Sequence, residues 1–238
     1  MNEPEQAFPY KPQSDFIKNK YDYLFKLDSD VPLNILKLIF DKTISLVLII
    51  FLGFPILIFL KILYLIEGLV KPSYAGPLIY YYYAVSQGKV FKKYKIRVIK
   101  PDCIDHLKAK EGKWEAYSSE WKTECRTFVG KFVKKFYLDE IPQLYSILKG
   151  DMSFVGPRPL SEIHYQRDLS QGNITRKYLR GGLLGLGHIM KGKAEFGDPI
   201  YEYIYLDYCF RKNILSLFIL DLKIIFKGLI VVLKGKGL

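Results

Sequence analysis

From Thr43 to Leu60 the chain runs for 18 residues without a charge, bounded by Lys42 and Lys61. At about 1.5 Å rise per residue a straight helix of that length reaches roughly 27 Å. That is slightly short of the ~30 Å hydrocarbon core of a bilayer. Membrane insertion is the expectation, with a helix buried in a globular core as the alternative. Pro55 follows Gly53 inside the run, where it removes a helix hydrogen bond and bends the axis. Lys37 and Lys42 flank one end, Lys61 and Lys71 the other, and cytoplasmic flanks collect Lys and Arg. A helix that enters, bends at Pro55 and leaves by the same face satisfies both observations. A Pro-kinked single span remains open.

The rest of the composition decides what surrounds that run. The 238 residues carry 36 Lys and Arg against 24 Asp and Glu, a net charge of +12, and 50% are hydrophobic. The 25% of charged residues argues against a polytopic transporter, and the hydrophobic content excludes a disordered chain. The length allows one domain plus an appendage. Residues 1–30 are polar and of mixed charge, and no cationic stretch leads into an apolar one, so a cleaved secretion signal is not expected. Cys103, Cys125 and Cys209 are far apart and form no C-x-x-C. This argues against a disulfide framework or a zinc knuckle and for a reducing compartment. The basic residues are spread along the chain and no nucleic-acid module is present, so no nucleic-acid partner is expected.

Past the turn-forming Pro72-Ser-Tyr-Ala-Gly-Pro77, Leu78 to Val85 and Val90 to Ile99 read as two strands around a turn at Ser86-Gln-Gly88. On the second strand Lys93, Lys95 and Arg97 share one face. The ribbon therefore has a cationic face, for which solvation is the plain reading of each charge. Trp114 and Trp121, seven apart, read as one helical face with packing as the favoured role. From about Asn213 to Leu233 the chain is apolar, with Lys223, Lys227 and Lys234 on one side of a helical wheel. This is an amphipathic helix suited to an anionic lipid surface.

The chemistry-bearing segment is 138–159, LDEIPQLYSILKGDMSFVGPRP. Ile141, Leu144, Tyr145 and Leu148 follow helical spacing, and Gly150 is placed as a C-terminal cap. Asp139 and Glu140 then stand at a helix N-terminus, where free N–H groups favour an ionised carboxylate. They read either as reactive carboxylates or as a cap and a favourable first-turn acid. In Gly156-Pro-Arg-Pro159 two prolines fix the backbone on either side of Arg158, suiting it to grip a phosphate; an ordinary turn is the alternative.

These residues resemble the signature of the bacterial sugar transferases, the monotopic phosphoglycosyl transferases: L-D-E-x-P-Q-L-x-N-x-L-x-G-D-M-S-x-V-G-P-R-P. Ser146 is the one departure among its fixed positions. Weaker similarity runs from about residue 36 to the C-terminus, through Phe40-Asp41, Phe54-Pro55, Tyr94-Lys95-Ile96-Arg97 and Leu220-Asp-Leu-Lys-Ile224. The resemblance implies transfer of sugar-1-phosphate from a nucleoside diphosphate sugar to polyprenyl phosphate with Mg²⁺, through a covalent phosphosugar on Asp139. Glu140 would assist with the metal or the proton, making Asp139 and Glu140 the metal-side carboxylates. Lys95, Lys134, Arg158 and Asp221 match phosphate- or substrate-binding positions.

Lys134 stands where the family usually has Arg, and Gly181 to His188 lacks the family's proline and glutamine, so the sugar is not carried over. The competing reading is a membrane-bound relative that has lost activity and serves as a scaffold.

The expected fold is α+β and helix-dominated. Residues 1–33 form an extension, 34–71 a re-entrant membrane helix, and 72–238 a catalytic domain with a two-stranded ribbon and interfacial amphipathic helices. The expected location is the cytoplasmic face of the bacterial inner membrane, with membrane lipid as a partner and a homodimer left open.

Overall fold

The computed structural model describes residues 10–190 and 197–233. An arm holding α1 (Asp15–Lys20) leads into one continuous apolar helix, Ile35–Val70, of 36 residues. Asn34 caps its start by accepting from the Lys37 N–H at 3.1 Å. α2 (Ile35–Leu48) and α3 (Phe54–Val70) are joined by a π-turn over Ile49–Gly53, in which the Phe54 N–H bonds to the Ile49 carbonyl. Pro55 follows at once. A proline ring collides with the carbonyl four residues back, and the wider turn relieves that collision. The helix is twice as long as the uncharged run because Lys42 and Lys61 are good helix formers placed on its exposed side. They lie within the helix and do not mark its ends. By length and composition it suffices to cross a membrane.

One stripe of this helix is buried from end to end: Asp41, Ser45, Gly53, Leu60, Tyr64 and Glu67, which is the helical repeat. The opposite side exposes Leu46, Ile50, Phe51, Ile58, Ile62 and Leu69. The buried stripe ties both halves to the same domain. In α2, the Lys37 ammonium donates to the Val155 carbonyl at 2.9 Å and Asp41 accepts from the Phe154 N–H at 3.2 Å. In α3, the Tyr64 hydroxyl donates to the Arg97 carbonyl, and Glu67 accepts from the Val129 N–H at 3.0 Å.

β1 (Ile79–Ser86) and β2 (Lys89–Ile96) form an antiparallel hairpin. Gln87 and Gly88 both take positive φ, 51° and 68°, as the two-residue turn that matches strand twist requires. There follow α4 (His106–Lys110), α5 (Phe128–Lys135), α6 (Gln143–Lys149), β3 (Met152–Val155), β4 (Leu160–Ser161), α7 (Glu162–Ser170), α8 (Thr175–Tyr178), β5 (Gly181–Leu184), α9 (Ile200–Arg211) and α10 (Ile214–Leu233). The result is the helix-rich α+β fold expected, with one correction. β4 pairs with β1 through Ala84–Ser161 and Val85–Leu160, so the ribbon is a three-stranded antiparallel sheet. A two-residue strand leaves no alternation in the sequence by which to find it. β3 and β5 pair in parallel as a separate two-stranded sheet.

A second correction concerns the cationic face. Lys93, Lys95 and Arg97 are only 1%, 2% and 1% exposed. Alternation fixed which residues share a face, and the face turned inward because each cation finds acceptors there. The Arg97 guanidinium alone donates to the carbonyls of Pro77, Ile99 and Tyr74 at 2.7–3.0 Å.

Trp114 to Trp121 is a 3-10 helix. At three residues per turn, seven residues place the rings about 120° apart. Trp114 packs edge-on against His164, whereas Trp121 lies 5.2 Å from the Lys134 ammonium. Cys103 and Cys125 pair as a disulfide with Cα atoms 5.9 Å apart, contrary to expectation. The Ile99–Arg126 bridge and the Lys100 N–H bond to the Cys125 carbonyl bring these distant segments together.

α10 buries Leu217, Asp221, Ile224 and Gly228 and exposes Lys223 and Lys227; Lys234 of the expected ridge lies outside the described residues. The arm shares the main core: Tyr21 and Phe25 pack on Tyr203 of α9 at ring distances of 5.9 and 5.6 Å.

Candidate active site

α5 aims the first cation. Thr127 caps it by accepting from the Gly130 N–H, and Glu67 reaches the same turn from α3. Gly130 allows the close approach: a Cβ there would lie 1.9 Å from the Val98 carbonyl oxygen. The last turn presents Lys134 inward. Tyr137 then reverses the chain at φ 57°, a left-handed conformation that costs a side-chain-bearing residue about 1–2 kcal/mol. Leu138–Glu140 forms a 3-10 turn, and α6 follows, ended by Gly150 at φ 99°. The expected helix is therefore preceded by a separate tight turn carrying both acids. Its apolar face is also rotated: Tyr145 is exposed and Ile147 is buried in its place.

Four buried charges, Asp139 among them, alternate in a square. Asp139 Oδ2 lies 2.9 Å from the Lys95 ammonium and 3.4 Å from that of Lys134. Glu120, from the 3-10 run, closes the square at 3.1 Å from Lys95 and 3.7 Å from Lys134. Burial raises the Glu120 carboxyl, but Lys134 and Lys95 outweigh it and hold the group down at about 2. Burial likewise opposes the Lys95 charge, and Asp139 and Glu120 overcome it, leaving that ammonium well above its ordinary value. The two lysines thus hold Glu120 ionised, a stronger effect than the dipole of a seven-residue helix supplies. Among the described residues, Asp139 Oδ1 is buried with no hydrogen-bond partner.

Glu140 points to the other side and accepts from the Arg158 guanidinium at 2.7 Å. Burial pushes its carboxyl up, but Arg158 and then Lys93 more than reverse this, and the net direction is down. The loop bearing Arg158 is fixed from β5. The Gly156 N–H bonds to the Leu184 carbonyl and the Gly182 N–H to the Pro157 carbonyl, both at 2.8 Å. Gly156 is needed there, since a Cβ would meet the Arg180 carbonyl oxygen at 2.1 Å. Arg176, clamped by Asp168 and Glu202, donates to the carbonyl of Arg158 itself. Lys93 completes the set, 3.4 Å from the Pro159 carbonyl. Burial first, and the Arg158 charge second, bring its ammonium down to about 7.

A carboxylate ringed by cations, with one oxygen free, beside a second carboxylate paired to a rigid arginine, suits attack on a polyanionic phosphorus centre. The sequence profile of the bacterial sugar transferases matches residues 33–235. The chain belongs to that family. It is 32% identical over 213 residues to the undecaprenyl-phosphate galactose phosphotransferase of Salmonella typhimurium, 85% of this chain and 41% of that one. It is 32% identical over 206 residues to the UDP-glucose:undecaprenyl-phosphate glucose-1-phosphate transferase of Klebsiella pneumoniae, 83% and 41%. Exopolysaccharide production protein ExoY of Sinorhizobium fredii is 31% identical over 183 residues, 73% and 77%. The chain thus spans about two fifths of the length of the first two relatives.

Of the residues marked in sequence, the fold gathers Asp139, Glu140, Lys95, Lys134 and Arg158 at one site. Asp221 is held elsewhere. It is buried on α10 and accepts from the Lys37 ammonium at 2.8 Å and the Tyr205 hydroxyl at 2.7 Å, tying α10 to α2. Its carboxyl is raised by burial, with Lys37 and Tyr205 opposing. Pro55 is close by a different route: Gly53, two residues before it, packs toward Ile141 beside the acid pair. Lys42 and Lys61 are exposed and make no part of the site. Sequence reasoning passed over Glu120, which lies in a 3-10 run with neither strand nor α-helical period. It also left Lys93 unassigned, although the alternation placed it beside Lys95.

Among the described residues no group of three or more His, Cys, Asp or Glu side chains forms a metal cage. Mg²⁺ seldom needs one, being held by one or two carboxylates and the phosphates of a substrate. The unpartnered Oδ1 of Asp139 and the adjacent Glu140 fit that mode.

Proposed function

We propose that this sugar transferase moves sugar-1-phosphate from a nucleoside diphosphate sugar to undecaprenyl or another polyprenyl phosphate, beginning a lipid-linked glycan. The observation that carries the reading is Asp139: Oδ2 is fixed by two ammonium groups while Oδ1 has no hydrogen-bond partner among the described residues. Relatives named as undecaprenyl-phosphate phosphotransferases support it.

In the first step Asp139 Oδ1 attacks the phosphorus that bears the sugar. An Oδ1–P bond forms, the bond from that phosphorus to the bridging oxygen breaks, and nucleoside monophosphate leaves with the electron pair on that oxygen. In the second step an oxygen of the lipid phosphate attacks the same phosphorus and Asp139 leaves as carboxylate, so no net proton is needed. Lys95 and Lys134 orient the nucleophile and offset the repulsion between carboxylate and diphosphate. Arg158, prealigned by its prolines and by Arg176, takes the charge of the incoming phosphate. Asp139 and Glu140 would hold Mg²⁺, which would supply further neutralisation of the diphosphate.

The proposed setting is the cytoplasmic face of the inner membrane, with Ile35–Val70 inserted from one side. Asp41 and Glu67 are 26 residues apart, about 39 Å of helix, which exceeds the ~30 Å hydrocarbon core, yet both bond to the same domain. A helix that crossed the bilayer would have to part from one of these contacts. This supports a re-entrant or surface-lying course in which the exposed apolar face meets lipid.

The test is Asp139→Asn with UDP-glucose, UDP-galactose and UDP-N-acetylgalactosamine as donors and undecaprenyl phosphate as acceptor. Transfer is expected to be abolished, and mass spectrometry of wild-type protein quenched with its donor is expected to show a phosphosugar adduct on Asp139. A variant active within a few fold of wild type removes Asp139 as the nucleophile.

A further inference from the structure

The Glu140–Arg158 pair forms the charged end of an otherwise apolar groove of about 510 Å³, a volume within the range of small-molecule sites. α2 contributes Phe40, Ile44 and Leu48 to one wall, and α10 contributes Ile225 and Leu229 to the other. Leu184 of β5 forms the floor under Gly228, where a Cβ would lie 2.8 Å from its methyl groups. Gly228 thus lets α10 settle close enough to make the groove. Tyr137 and His188 stand with Glu140 and Arg158 at the polar end.

Two properties select the occupant. The groove is continuous with outer apolar faces on both helices: Ile39, Leu46 and Val47 on α2, and Leu222, Phe226 and Ile230 on α10, all exposed. A ligand entering from a lipid layer would therefore reach it without crossing water. Its inner end carries a guanidinium, while its length offers few polar partners for a nucleobase or a sugar. A hydrocarbon with an anionic head matches both. The nucleoside diphosphate sugar is left to the side of Asp139 lined by Lys95 and Lys134.

We propose that the groove between α2 and α10 is the acceptor site, holding the first isoprene units of polyprenyl phosphate with the phosphate at Arg158. This rests on the reaction proposed above and adds where its second substrate binds. The two substrates then approach the acid pair from different sides, so the halves of the reaction can be perturbed separately.

Leu48→Trp and Leu229→Trp fill the groove without touching the charged residues. Exchange of labelled UMP into the UDP-sugar needs no lipid, and it is expected to stay within about twofold of wild type. The KM for undecaprenyl phosphate is expected to rise at least tenfold. Leu48→Ala, which removes wall instead of adding bulk, is expected to raise the same KM several fold. In wild type the KM should fall as acceptors lengthen from two isoprene units, and the Trp variants should lose that dependence. An unchanged acceptor KM in all three variants overturns the assignment. So does loss of co-purified phospholipid from the Trp variants with acceptor KM unmoved, which would give the groove to a bilayer lipid. Absence of UMP exchange in wild type with every donor refutes the underlying reaction instead, and that result is distinct from either.

Discussion

Glu120→Gln removes one charge from the square of Lys95, Glu120, Lys134 and Asp139 while conserving volume. Three buried charges remain, with one positive in excess. The folded protein holds the Glu120 carboxyl at about 2 against an ordinary 4.5. At about 1.4 kcal/mol for each tenfold change in proton affinity, this gap corresponds to about 3 kcal/mol of stability. Breaking a buried ion pair by removing one partner costs a similar amount, about 3–5 kcal/mol.

The sign follows from the direction of the shift. The folded carboxyl binds its proton more weakly than the unfolded one. Its contribution is therefore complete above pH 4.5 and is lost as pH falls toward 2. At pH 7 the variant should be less stable by about 3 kcal/mol, a fall in Tm of about 6–12 °C for a chain of this size. The gap should close as both proteins are taken to pH 3 and below. Thermal unfolding in detergent micelles, followed by near-ultraviolet circular dichroism from pH 7 to 3, measures it. Wild-type and variant curves that run parallel over that range would show that Glu120 is not held ionised by the two lysines, and the square would lose its energetic basis.

Lys93→Met should raise stability at pH 7 by up to about 4 kcal/mol, because burial holds the ammonium down at about 7 against an ordinary 10.5, and each tenfold change in proton affinity is about 1.4 kcal/mol. Wild type should gain stability from pH 7 toward 10.5, where the lysine is charged only when unfolded; a wild-type profile as flat as the variant's would contradict its burial as a depressed cation. Arg158→Lys loses the planar fork facing Glu140, and kcat should fall at least about tenfold with little change in Tm. Full activity would mean that Arg158 is not aimed at transferring charge. Cysteines introduced at Ser29 and Ser73, both exposed beyond the ends of the long helix, should label from the same side in inverted vesicles. Labelling from opposite sides would establish a single span.

Much of this is legible in the amino-acid sequence, but only where one local period or one continuous motif carries the information. The segment 138–159 placed both acids and Arg158 on one short stretch, and Gln87-Gly88 announced the hairpin. The burial of Lys93, Lys95 and Arg97 was not legible, because a period of two does not say which face has partners. Those partners come from far away: Lys95 meets Glu120 and Asp139, 25 and 44 residues further on. The partners of Asp221 were not legible for the same reason. Its motif match is local, whereas its environment is Lys37, 184 residues earlier in the chain.

The long helix shows why the site and the apolar segment must be treated as one unit. A simple tether would need no buried polar contacts with the domain, since each such contact carries a desolvation cost that only good geometry offsets. This helix makes them at both ends, and each lands on a segment that carries a residue of the site. Lys37 and Asp41 hold Val155 and Phe154, the residues leading into the loop of Arg158. Glu67 holds the first turn of the helix whose last turn carries Lys134. Between them the π-turn lays Gly53 toward Ile141, next to Glu140. Under the proposed topology, how deeply each half of the helix sits in lipid therefore bears on one flank of the acid pair: Arg158 through α2, Lys134 through α3. A displacement of either half would change the geometry of one flank and leave the other in place.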